Sequence, residues 1–579
     1  MIAIHPGRCL QRCGFVAAVG ILLLMIPARI FAQADEHANH ATVGWVPEEI
    51  LDRPVALRTG IGVYHEKVNT SSALAQKFYD QGVAYLHSYV WIEAARSFHQ
   101  ALRSDPKMAM AYLGLSYAYS PMDYRAARTA LERAESLSAA ANDRERRRIA
   151  IRRAQLDAMA AAGNAEAIPK LLAFRKEIDD ALAAYPDDVE LLLLRGHAEE
   201  PTPFGDGGGC VVSAITYYQR AMAISPDNFA AHHFLAHCYE NQGKFSDALE
   251  QARIYAQMAP QIPHGQHIYG HELRGVGRNE EAIQFFLKAE TLENGYYRRE
   301  NIPASFDWHH AHNLSLLASA YQYEGQLHLA ERYFAAERRL TPFTEYAAFN
   351  RKDWPEFLLN RGDFGPALGA AQEMAGSRSA LSRAAGHCLA GIALVALHRS
   401  GEAEAQLNSA QMEARGLNHP DAAAVSPYLD LLELALMLGR GSLADAPPLV
   451  ERISQYTRRA TSADSWSQGL FRVEVLSNLA RQTGRWEIAE QLAGLMLAVD
   501  PYYGGSHYAK ALAAEHSGDR AVMTQEFDAA KSYWNRADVD FPPLAVIKKA
   551  SSIPGAPKAE QGLGGAAPRE SSQSNPKIS

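Results

Sequence analysis

What most constrains this chain is a pattern that keeps returning. Residues 75–108, AQKFYDQGVAYLHSYVWIEAARSFHQALRSDPKM, place apolar or small side chains at Phe78, Gly82, Tyr85, Ala94, Phe98 and Ala101, and close on Pro106. That is the 3.6-residue period of two amphipathic helices, with small residues where the helices must approach. Proline ends the second helix because it lacks the amide hydrogen that would continue the ladder. Leu235, Ala236, Tyr239, Gly243, Ala248 and Pro260 mark another copy, and Gly270, Gly277, Ala282, Phe286 and Ala289 the next. A further copy carries Ala318, Tyr321, Gly325, Ala330, Phe334 and Pro342, and fainter ones surround Gly362, Gly484 and Gly518. An earlier copy, from Gly196 to Pro226, is interrupted by PTPFGDGGG at 201–209. Repeated hairpins bury their apolar faces on one another, so residues 70–540 are predicted to form one all-α solenoid. Residues 375–465 fit the period least and should hold degenerate or irregular hairpins.

The unit resembles the tetratricopeptide repeat, a helix–turn–helix module, and matches it at nearly every signature position. The resemblance implies a right-handed α-solenoid whose first helices line a concave groove, with binding of a protein, peptide or small ligand there. The expected segments are a signal peptide (1–34), an extended lead-in lying against the first hairpin (35–69), a repeat array with a histidine-lined groove (70–345), degenerate hairpins (346–540) and a disordered tail (541–579).

The signal is read from Arg8 and Arg12, the apolar run FVAAVGILLLMI at 15–26, and the small residues Ala32 and Ala34. Export to a periplasmic or secreted location follows, with no stable membrane span once the signal is removed. Removal takes three arginines and no acid, lowering the formal charge from −8 to −11. Such a charge gives no reason to expect a nucleic-acid partner. Cys210, Cys238 and Cys388 remain, too few for a disulfide framework. Cys210 and Cys238 could pair, but buried free thiols are the expected state. The basic run Arg144, Arg146, Arg147, Arg148, Arg152 and Arg153 is expected to be a solvated helix face, an anion or acidic-partner site being the sharper alternative.

The histidines are distributed unevenly. Ten of 22 lie between residues 197 and 312. Counting each repeat from its own start (189, 229, 263 and 311), His233 and His267 share position 5. His197, His237 and His271 share position 9, and His264 and His312 share position 2. Positions 2, 5 and 9 fall along one stripe of the first helix. Pairs four residues apart on a helix can chelate one ion, and an imidazole-rich set suits Zn, Cu, Ni or Fe. His233, His237, His264, His267 and His271 are therefore candidate metal ligands. Glu200, Glu240 and Arg274 at position 12, with His197 and His312, are assigned to the ligand groove. The alternative is ordinary packing or groove contacts; His232, at a core position, should simply pack.

Five stretches sharpen the resemblance. GIGVYHEKVNTSSALAQKFYDQGVAYLHSY (60–89) and EAARSFHQALRSDPKMAMAYLGLSYAY (93–119), with AHHFLAHCYE (231–240), PHGQHIYGHELRGVGRNEEAI (263–283) and HHAHNLSLLASAYQYEG (309–325), resemble a histidine-rich group of exported bacterial tetratricopeptide proteins. This covers residues 60–345 and implies architecture and groove without naming a substrate. The Gly-rich insert departs from the group and could fold over the groove as a lid. Groove positions that hold Lys, Arg or Asn in carboxylate-clamping arrays carry Gln76, Tyr79 and Val83 here. Two function classes follow: an exported binding scaffold, or a metal-binding protein or metal-dependent enzyme. No nucleophile elbow, P-loop, dinucleotide fingerprint or HExxH motif is present.

Overall fold

A computed structural model describes residues 46–162, 164–201, 209–342, 345–460 and 463–551. The signal segment, most of the Gly-rich insert and the residues after 551 lie outside these. Among the described residues every regular element is a helix, and consecutive helices pair as antiparallel hairpins. Polar caps start many of them. Ser72 accepts from the Ala75 amide, Asp188 from Leu191, Asn228 from Ala231 and Asp307 from His309. Each cap satisfies an amide that the helix itself cannot, about 1 kcal/mol apiece.

The small residues of the pattern allow close approach. A Cβ on Gly82 would lie 2.6 Å from the Phe98 ring, and one on Gly270 would lie 2.7 Å from Phe286. Each glycine lets its helix sit on the aromatic of its partner helix, and overpacking there costs about 1–3 kcal/mol. Residues 380–459 also form helix pairs, Ala380–Ala396 with Ser400–Arg415 and His419–Arg440 with Ala446–Arg459. Their first helices start at 380 and 419, too far apart for the shorter period, which is why the pattern fades there.

Four expectations change. The lead-in contains a short helix, Glu48–Leu51, and then runs well past the first hairpin. It does contact that hairpin: Gln81 accepts from the Arg58 amide, and Gln76 from that of Val68. It also reaches the later repeats. Gly60 O accepts from the Gln261 amide at 2.8 Å, Arg58 pairs with Glu300 at 2.5 Å, and Gly62, at φ +91°, lies on the Phe229 ring. The strand-like strap thus lies against the very helices whose stripe was expected to stay open. Second, the stretch assigned to the tail begins with a helix, Pro542–Ser551, whose Ile547 is buried. Third, Arg148 and Arg152 are buried rather than solvated. Arg148 pairs with Glu66 and Glu190, and Arg152 stacks over Tyr117 while bonding Ser116 and Gln155. Fourth, Cys210 and Cys238 form a disulfide instead of remaining thiols. Their spacing of 28 residues says nothing of this, because Cys210 directly follows the Gly-rich insert, outside the repeat pattern, and is returned beside the Phe229–Asn241 helix that carries Cys238.

Among the described residues one segment, Asp421–Arg440, is long and apolar enough to cross a bilayer. Half of it is buried in the protein: Leu431, Leu432, Leu434, Ala435 and Leu438 sit in the core that runs continuously from Leu273 to Ala509. It is a core helix by its packing.

Candidate metal centre

The stripe helices are Val189–His197, Phe229–Asn241, Pro263–Gly275 and Trp308–Tyr323. Their histidines point inward and are enclosed. His233 and His267 have no measurable exposure, and His237, His264, His271 and His312 are also buried. Two bodies close over them. The turn of the first hairpin inserts from one side, with His87 O against His233 Nδ1 at 2.8 Å and Trp91 stacked on Trp308. Tyr89 in that turn has φ 58°, an uncommon backbone region for a side-chain-bearing residue. This conformation sets its ring 4.8 Å from His233 and 4.9 Å from His264. On the other side, the tips of the histidine hairpins rest on the C-terminal hairpins: Tyr323 donates to Asp500, and the Asp538 amide donates to Gly325 O.

The rings form two triads. Nε2 of His233 lies 3.1 Å from Nε2 of His237 and 2.9 Å from Nε2 of His264. The second set is His267, His271 and His312, and within each set one ligand nitrogen per ring lies within 4.8 Å of the others. Both have the same construction: the i, i+4 pair of one stripe helix and a histidine from the first turns of the next. The two expected pairs therefore do not share one point; each anchors its own centre. His312, assigned from sequence to the ligand groove, completes the second.

The outer nitrogens explain the orientation of the rings. His233 Nδ1 meets a backbone carbonyl, His267 Nδ1 meets Asn313 Oδ1 at 2.8 Å, and His271 Nδ1 meets Glu240 Oε1 at 3.4 Å. Asn313 cannot flip without losing its amide donation to Phe286 O. Such acceptors place the ring proton on Nδ1 and leave the Nε2 lone pair facing inward, the metal-binding form. Glu240 lies between the triads, its Oε2 3.9 Å from His237 Nδ1. Burial, reinforced by His237, holds the His233 pKa well below its ordinary value; burial with His271, His309 and His312 does the same for His267. Both are neutral.

A neutral His233 with its proton on Nδ1 has one lone pair on Nε2, yet two nitrogens approach it at about 3 Å. One hydrogen bond accounts for one of them. Three imidazole nitrogens about 2.05 Å from a tetrahedral divalent ion would sit about 3.3 Å apart, close to the spacings found here. The donor set is all imidazole, which fits Zn, Cu or Fe rather than Ca or Mg.

The remaining candidates sit elsewhere. His197 packs edge-on against Phe234 at 4.5 Å, its pKa lowered by burial to about 3. Glu200, Glu240 and Arg274 are buried instead of facing an open groove. Glu272, not singled out from sequence, has its carboxyl pushed well above the usual range by burial and by Glu240. His232 bonds Gln251 as a packed residue. Sequence reasoning also missed His309 and His310, whose Nδ1 atoms share the buried Glu293 at 2.5 and 2.7 Å. Burial raises that carboxylate, but His310 and the two hydrogen bonds outweigh it and hold it at about 2. The dense HHAH run was their only signal.

Residues 211–264 match the tetratricopeptide repeat family. The match takes in His233, His237 and His264, the whole first triad. None of the curated proteins matches the chain. Solved structures with similar folds include the APC/C hetero-tetramer Cut9–Hcn1 (11% identity, 82% of this chain and 76% of that one, TM-score 0.34). Others are the apo quorum sensor NprR from B. thuringiensis (14%, 65% and 94%, 0.37) and the type IV pilus biogenesis factor PilW (17%, 48% and 98%, 0.25).

Proposed function

We propose that this protein is an exported tetratricopeptide-type scaffold whose interior holds two tri-histidine transition-metal centres. His233, His237 and His264 bind one ion, and His267, His271 and His312 the other. The observation that carries the reading is the approach of the His237 and His264 Nε2 atoms to that of His233, whose ring is fixed by the His87 carbonyl on its far nitrogen. Three protein ligands leave a coordination position open, so each centre suits binding or chemistry as well as storage. Export rests on the N-terminal signal pattern and is favoured by the Cys210–Cys238 disulfide, since such bonds persist in oxidising compartments. A peptide held in the concave groove is disfavoured, because the chain's own strap and first-hairpin turn occupy that side.

The test is metal content of the full chain after loading separately with Zn²⁺, Cu²⁺ or Fe²⁺ and exhaustive dialysis. About two equivalents of one metal are expected, falling to one in His237→Ala and one in His271→Ala. Retention of no metal under all three conditions refutes the proposal.

A further inference from the structure

A cavity of about 510 Å³ lies between the strap, the first-hairpin turn and the start of the Trp308–Tyr323 helix. His264 and His309 are part of its wall, so the cavity meets the edge of the first triad. Its sides carry flat rings: Tyr89, Trp91, Tyr296 and Trp308. Two arginines at the rim, Arg58 and Arg299, are both held by Glu300, at 2.5 and 2.9 Å. Glu93 and Asp307 also line it. An anionic guest would meet these carboxyls without gaining an arginine that is not already engaged, so the chemistry favours a neutral, flat molecule. Its volume is at the lower end of those that hold small organic ligands, and its rings offer stacking faces.

We propose that this cavity binds a small phenolic compound whose hydroxyl oxygen takes the open coordination position of the His233–His237–His264 centre. The proposal rests on the metal reading above and adds the ligand class. With an ion held by the three imidazoles, the exchange would balance without an outside reagent: the phenolic proton would pass to a hydroxide on the ion, which would depart as water as the phenolate oxygen took its place. The second triad has no residue in the cavity wall, so it takes no part. His309, at 5.1 Å from His264 and 4.6 Å from His267 between ring centres, stands between the two sets.

The experiment uses the full chain, apo and loaded with Co²⁺, whose visible absorption reports its ligands. The probes are 4-methylcatechol and its dimethyl ether, which has the same ring and no hydroxyl proton. Expected are saturable quenching of tryptophan fluorescence by the catechol and a shift of the cobalt bands with the catechol but not with the ether. Trp91→Ala should weaken binding at least tenfold at unchanged cobalt content. Ile61→Trp, which fills the cavity from the strap, should do the same by a different route and guards against one variant failing to fold. Quenching without a cobalt shift overturns the coordination step. A cobalt shift that survives both variants overturns the cavity as the site. If the protein takes up no cobalt, the metal reading fails first, and the coordination proposal falls with it.

Discussion

Glu240→Gln is the substitution that most directly tests how the two triads are linked. Glu240 faces both, with Oε1 3.4 Å from His271 Nδ1 and Oε2 3.9 Å from His237 Nδ1. Carboxylates behind ligating imidazoles fix the tautomer and raise ligand basicity, and losing one typically costs 10–100-fold in metal affinity. Both contacts here are longer than a tight hydrogen bond, so the lower end applies. We expect about tenfold at the second triad, which is about 1.4 kcal/mol, and less at the first. Glutamine keeps the volume, so stoichiometry should remain two. The assay is competition with a chromophoric chelator, fitted to two sites. Both affinities should fall in the single variant, whereas His237→Ala should abolish one site and spare the other. Unchanged affinities, or a loss confined to the first triad, would refute the shared second-layer role.

Three other outcomes are expected. Gly62→Ala places a Cβ 2.4 Å from the Phe229 ring at a positive-φ position, so it should destabilise by about 1–3 kcal/mol and speed protease cleavage of the strap. Cys238→Ser removes a cross-link spanning 28 residues and should lower unfolding free energy by about 3–4 kcal/mol in non-reducing denaturant titrations. For pH, burial keeps His197 neutral down to about 3, while its unfolded counterpart protonates near 6.5. The unfolded state then binds more protons, so apo stability should fall between pH 6.5 and 3, by about 1.4 kcal/mol per unit from this residue, and His197→Gln should flatten that slope.

The helices and the histidine stripe were legible because both follow local periods. Register starts at 189, 229 and 263 coincide with the observed first helices, while the fourth begins at Trp308 rather than 311. The preceding helix, Asn279–Glu300, extends for 22 residues and shifts the frame. Periodicity placed His233 and His237 on one face but could not say that the third ligand comes from the next repeat's entry. That grouping depends on how adjacent hairpins stack. Closure of the site was less legible still. His87 meets His233 across 146 positions, and the arrangement depends on curvature accumulated over several repeats. The arginine run misled for a related reason: local charge density looks like a wet face, whereas Glu66 on the strap and Glu190 on another helix come from far away to neutralise it.

The strap also dictates an order of events. Arg58 finds its partner 242 positions downstream, so a segment made early cannot take its seat until several later hairpins exist to receive it. Closing so long a loop carries an entropic cost that grows with the logarithm of its length. Until that happens the histidine helices lack one of their neighbours, and under the metal reading proposed above an ion would enter most simply in that interval.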